Sequence, residues 1–140
     1  MSDKIQTLTE IIQKIAEKTK EFNIPFDNNK KQNYFEFLDS AVNGDTPISS
    51  LTVDANLTKD IPGIIVYILT NKRIIKVDID AKEIQASNYP ISQIINVRRK
   101  LIENESEVII EFENESFGLK YPKEKTEITK FFELVENTNK

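Results

Sequence analysis

The chain has 140 residues, 39% hydrophobic and 30% charged, and a net charge of −4. That suffices for one folded domain, or one domain with an appendage, and the balance is that of a globular chain. With no cysteine and no histidine, disulfides, thiolate metal sites and thiol redox chemistry are excluded, and the commonest general base and metal ligand are absent.

The acidic balance argues against a general coat on nucleic acid or membrane. The stretch from Met1 to Glu10 carries acids and no apolar h-region. No run approaches the roughly 18–20 apolar residues of a membrane span. A cytoplasmic protein is the expectation.

Ile5, Leu8, Ile12, Ile15, Thr19 and Phe22 alternate steps of three and four, one seam of a helix over about 3–22. Ser2 or Asp3 can cap it, and Pro25 ends it, because a residue before proline leaves helical geometry. The seam Ile5, Leu8, Ile12 and Ile15 has two uses: packing within the chain, or meeting another chain. Asp27-Asn28-Asn29 is a cap cluster for a second helix over about 29–42, with Tyr34, Phe35, Leu38, Ala41 and Val42 apolar. Asn43-Gly44 stops it, Gly44 being free to take the left-handed closing conformation. Residues 1–45 are therefore expected to form a helical hairpin ahead of a β domain over 46–140.

Leu51, Val53, Ala55 and Leu57 alternate with polar residues, a half-buried strand. Gly63 to Ile79, GIIVYILTNKRIIKVDI, reads as a central hairpin. Its first arm is apolar from Ile64 to Leu69, so both faces are expected to be covered. Asn71 and Lys72 form the expected loop, Asn tolerating the positive φ of two-residue hairpins. A short strand follows near 84–89, then another over 91–101. Glu103 to Ser106 makes a polar loop, and 108–113 and 117–121 alternate as a final hairpin. Pro122 suits the first turn of a closing helix, with Glu124 favourable there. Ile128, Phe131, Phe132 and Val135 form its apolar stripe, and the tail from Glu136 is expected to fray.

GIIVYILTNKRIIKVD resembles the hairpin of bacterial pleckstrin-homology domains and the related GRAM domains. YPISQIINVRRKL and EVIIEFENESFGLKYPKEKTEITKFFELV resemble the segments that follow there. The resemblance covers roughly residues 48–138. It implies an α+β fold: a seven-stranded antiparallel β-barrel capped by the C-terminal helix, here preceded by the helical hairpin.

Relatives of that fold bind phosphoinositides through a basic loop between the first two strands. Here that loop, Thr58 to Pro62, has one Lys, one Asp and no Arg, too few donors to converge on a phosphate. The candidate ligand or partner residues are the basic ones: Lys72, Arg73 and Lys76 on the hairpin, and Arg98, Arg99 and Lys100 beyond it. Successive strand residues point to opposite faces, so Arg98 and Arg99 are not expected to act together. The acids Glu103, Glu105, Glu107, Glu111, Glu113 and Glu115 are the alternative partners of those bases. No calcium loop, phosphate-cradling glycine loop or nucleophile elbow is present. The expectation is a non-enzymatic adaptor without cofactor or metal, contacting protein or its own copies. An anionic-lipid adaptor is the alternative, and no nucleic acid is expected.

Overall fold

The computed structural model describes residues 3–21, 23–54, 63–80, 82–122 and 126–139. Within these lie three α-helices and seven strands in two antiparallel sheets, an α+β fold. The chain divides into two compact units, Met1–Tyr89 and Pro90–Lys140.

The first unit opens with α1 (Asp3–Glu21) and α2 (Asn28–Val42). Thr19 is buried in the α1 seam, and its hydroxyl donates to the Ala16 carbonyl at 2.9 Å. A polar seam residue is thereby satisfied on its own helix. Past the end of α1, Asn23 has φ 58° and the Ile24 amide returns to the Thr19 carbonyl at 2.8 Å. Asp27 caps α2 by accepting the Lys30 amide at 2.9 Å. At the other end Asn43 is left-handed (φ 48°), and Gly44 follows at φ 84°. The closing conformation expected of Gly44 alone is shared with Asn43, whose side chain tolerates it.

β1 (Pro47–Asp54), β2 (Gly63–Thr70), β3 (Arg73–Asp80) and β4 (Ile84–Pro90) form a sheet in that order. Ala55, Leu57 and the Thr58–Pro62 loop lie outside the described residues, as do Ser2 and Phe22 and the side chain of Ile5. β2 is buried along its whole length, as an uninterrupted apolar run requires. Its row Ile64, Val66 and Ile68 stands opposite Ile79, Val77 and Ile75 of β3. That row shares one core with Leu8, Ile11, Ile12 and Ile15 of α1 and with Tyr34, Leu38 and Val42 of α2. Each such aliphatic side chain contributes about 1.5–3 kcal/mol when removed from water, which explains why α1 lies against β1 and β2. Leu8, Ile12 and Ile15 are thus buried in their own chain and form no exposed seam.

The β2–β3 loop departs from expectation. Neither Asn71 nor Lys72 has positive φ. Instead the Thr70 hydroxyl accepts the amides of Lys72 (3.1 Å) and Arg73 (3.0 Å), so a side-chain turn closes the hairpin with ordinary backbone angles. Positive φ appears at Glu103 (55°), in the two-residue loop between later strands.

Tyr67 of β2 is 2% exposed, and burial, reinforced by the charges of Asp78 and Tyr89, pushes its phenol up from 10.0. The folded state therefore holds this proton more tightly than the unfolded chain. The stabilisation is complete below about pH 10 and declines above it, by about 1.4 kcal/mol per pH unit for one group. Urea midpoints measured from about pH 9 to about pH 11 should fall less steeply in Tyr67→Phe than in the natural chain. Equal slopes would contradict the assignment.

The second unit begins with a 3₁₀ turn, Ile91–Gln93, and then β5 (Ile94–Ile102). Residues 91–101 are therefore not one strand: Pro90, at φ −59°, leads into the turn, which buries Ile91. β5, β6 (Glu105–Phe112) and β7 (Ser116–Pro122) pair in that order. Among the described residues the seven strands pair as sheets of four and three, without strand pairing that closes them into one barrel. Pro122 does not open the last helix; it ends β7 opposite Glu105, a terminal position on an edge strand where a missing N–H is tolerated. Glu124 lies outside the described residues.

α3 (Thr126–Asn139) lies against the 3₁₀ turn and buries Ile128, Phe131, Phe132 and Val135, the stripe expected from spacing. The rings of Phe131 and Phe132 meet edge to face, 5.4 Å apart at 89°. The helix continues past Glu136 instead of fraying there. No helix of the described residues is long and apolar enough to cross a membrane.

Candidate functional site

Arg73, at the start of β3, is engaged through all three guanidinium nitrogens within the first unit. Its Nε donates to Asp45 Oδ2 at 2.8 Å, and Nη1 donates to Asn88 Oδ1 at 3.2 Å. Its Nη2 donates to the carbonyls of Ala41 and Val42, both at 3.0 Å. These carbonyls belong to the last turn of α2, where helical partners run out and a cation suits the dipole. Two neighbours bind the same segment. Asn71 exchanges bonds with Thr46, its amide donating at 3.1 Å and its Oδ1 accepting the Thr46 amide at 3.1 Å. The Thr70 hydroxyl lies 3.1 Å from Asp45 Oδ2 and 3.2 Å from the Arg73 carbonyl, and its one proton serves either. The Thr-Asn-Lys-Arg stretch is thus a latch between a β-hairpin and a helix end. Lys72 is exposed within it, and Lys76 is half-buried opposite Tyr67.

Arg98 and Arg99 separate as strand geometry demands. Arg98 Nε donates to Glu111 Oε1 at 2.8 Å, across the β5–β6 pair. Arg99 pairs with Glu136 of α3. Lys100 is exposed and stands opposite Glu107. Within the second unit Arg98 and Arg99 therefore do not converge, and within the first Arg73 is turned to the end of α2. Arg73, Arg98 and Arg99 each meet a carboxylate. The exposed pairs of Arg98 and Arg99 contribute at most about 1 kcal/mol each, so their interest lies in the charge pattern they present.

That pattern sits on β5, an edge of its sheet among the described residues. An edge strand presents unpaired backbone N–H and C=O groups. β5 also carries Ile95, Leu101 and Ile102 at 64%, 60% and 58% exposure, three of the five large hydrophobic residues exposed among the described ones. Sequence reading took the bases here as the candidate site and not these apolar residues. The signal was available: Leu101 and Ile102 are adjacent, so a strand cannot turn both inward. The partners Asp45, Asn88 and Glu136 carried no local signal.

No family model matches the chain, and no curated protein matches it either. Among solved structures it is similar to a DUF1696-family protein with a pleckstrin-homology domain from Shewanella loihica PV-4. The two share 12% identity with a TM-score of 0.53, over 75% of this chain and 96% of that chain. At that identity the likeness is one of fold, and the fold is pleckstrin-homology-like.

Proposed function

We propose that the chain is a non-enzymatic binding module, a pleckstrin-homology-like β-barrel closed at one end by α3, that works through protein–protein contact or self-association. The observation that carries this reading is the edge strand β5, with exposed Ile95, Leu101 and Ile102 flanking a basic centre. Exposed apolar side chains on an edge unpaired among the described residues are the ingredients of strand-mediated recognition. The absence of histidine and cysteine from the sequence weighs against catalysis, and this fold hosts many functions.

The lipid alternative loses support from the basic residues, because Arg73, Arg98 and Arg99 are paired with Asp45, Glu111 and Glu136. The test is capture of partners from source-cell lysate by the tagged chain, with sedimentation velocity over a range of concentrations. A protein retained by the natural chain and lost in Leu101→Glu/Ile102→Glu is the expected outcome, as is an oligomer dispersed by that variant. A chain that stays monomeric, captures nothing and instead sediments with anionic vesicles at low salt would replace the adaptor reading with the lipid one.

A further inference from the structure

We propose that the Asn43-Gly44 bond is a site of spontaneous deamidation, held unreactive by the latch that Arg73 and Asp45 form at the end of α2, so that the bond records any opening of that end. This goes beyond the adaptor reading and is independent of it. The sequence supplies the chemistry. The backbone nitrogen of the residue after an asparagine can attack the side-chain carboxamide carbon. The new N–C bond closes a succinimide ring, the side-chain nitrogen leaves as ammonia with the backbone amide proton, and water then opens the ring to aspartate or isoaspartate. Glycine favours the attack because no side chain shields its nitrogen. Asn43-Gly44 is the one Asn-Gly pair in the chain. Both residues are exposed, and nothing lies within 4 Å of the place a Gly44 side chain would take. Neither water nor ring closure therefore meets a steric bar.

The conformation supplies the restraint. Asn43 has φ 48° and ψ 49°. At that ψ the Gly44 nitrogen lies anti to the Asn43 Cβ across the Cα–C bond, directed away from the carboxamide. Ring closure needs the two eclipsed, roughly a half-turn away about that one bond. The chain on either side opposes the rotation. Before it, the Asn43 amide donates to the Asp39 carbonyl at 3.2 Å, and Arg73 Nη2 holds the Val42 carbonyl at 3.0 Å. After it, the Asp45 amide donates to the same Val42 carbonyl at 3.0 Å, and Asp45 Oδ2 accepts Arg73 Nε at 2.8 Å. One residue further, the Thr46 amide donates to Asn71 Oδ1 at 3.1 Å. A half-turn at Asn43 swings Gly44, Asp45 and Thr46 off these partners, so the reactive geometry is reached when the latch opens. Helix ends open locally at less cost than the whole chain unfolds.

Reaction makes the opening permanent. The neutral carboxamide becomes a carboxylate at the C-terminal end of α2, where the helix dipole disfavours negative charge. In the isoaspartyl product the main chain runs through the former side-chain carbon and is longer by one methylene. The left-handed turn that closes α2 cannot then re-form as it was, and Asp45 no longer stands where Arg73 meets it.

The test follows deamidation at Asn43 by peptide mass spectrometry, with isoaspartyl methyltransferase to count the isoaspartate, in the full chain held at one mildly alkaline pH. The natural chain should react far more slowly folded than unfolded in urea. Arg73→Ala should raise the folded rate about tenfold or more. Asn71→Ala, at an exposed position, should raise it in the same direction, so the outcome does not hang on Arg73→Ala folding well. Asn43→Gly keeps a residue suited to the left-handed conformation and should release no ammonia from this segment. Phe131→Ala separates the latch from general instability. It weakens the core under α3 and leaves the latch intact, so the rate at Asn43 should stay near that of the natural chain. Equal acceleration by Phe131→Ala and Arg73→Ala would overturn the latch as the guard, in favour of global unfolding. Equal rates in the folded and unfolded natural chain would overturn it too, as would a folded rate that neither Arg73→Ala nor Asn71→Ala moves. No reaction at Asn43 in urea would remove the site itself.

Discussion

Phe131→Ala is expected to lower the free energy of unfolding by about 3–5 kcal/mol. The residue is 1% exposed, as is Phe132, and both rings stand on the apolar stripe of α3. Truncation removes the transfer free energy of the ring and leaves a cavity that close-packed neighbours fill only in part. It also removes the edge-to-face contact with Phe132, a geometry worth about 0.5–1.5 kcal/mol beyond the buried area. Leu134 on the same helix is 37% exposed, so Leu134→Ala keeps the helix and costs far less. Urea denaturation should separate the two, with the Phe131→Ala midpoint lower by roughly 1–3 M for a protein of ordinary m-value. An unchanged midpoint in Phe131→Ala would remove α3 from the core.

The elements written by periodicity were legible in the sequence. The buried α3 stripe, the β2 run apolar from Ile64 to Leu69 and the α1 seam announce themselves, because burial on one face imposes a period. The opposed faces of Arg98 and Arg99 follow from the same rule. Features that depend on one long-range partner were not legible. Pro122 is acceptable both in the first turn of a helix and at the end of an edge strand, and nothing local chooses between these. The β2–β3 loop was read from Asn71, whereas the Thr70 hydroxyl does the work through two amides. The role of Arg73 depends on Asp45, 28 residues earlier in the chain, and Arg99 meets a helix residue 37 positions away. Separations of that kind leave no periodic trace.

Arg73→Ala carries the second large expectation, a loss of about 2–4 kcal/mol. Asp45 is 9% exposed at its side chain and Arg73 21%, so truncation leaves a carboxylate largely shielded from water without its cation. It also takes the guanidinium donor from the Ala41 carbonyl and from exposed Asn88, and leaves the Val42 carbonyl with the Asp45 amide alone. The geometry needs a planar fork: Nε reaches one carboxylate while Nη2 spans two carbonyls. Lysine keeps the charge but presents a single nitrogen, so Arg73→Lys should recover only a minor part of the loss. A double-mutant cycle with Asp45→Asn, read by urea denaturation, should give a coupling of about 1–3 kcal/mol. Arg73→Ala within about 0.5 kcal/mol of the natural chain, or Arg73→Lys indistinguishable from it, would mean that the latch is ornamental. The expected result has a functional consequence. Arg73 is the most deeply held of the candidate bases, and every nitrogen of its guanidinium already has a partner. An incoming phosphate would compete for it with Asp45 and the end of α2. The signature stretch of the hairpin is therefore an anchor of the first unit.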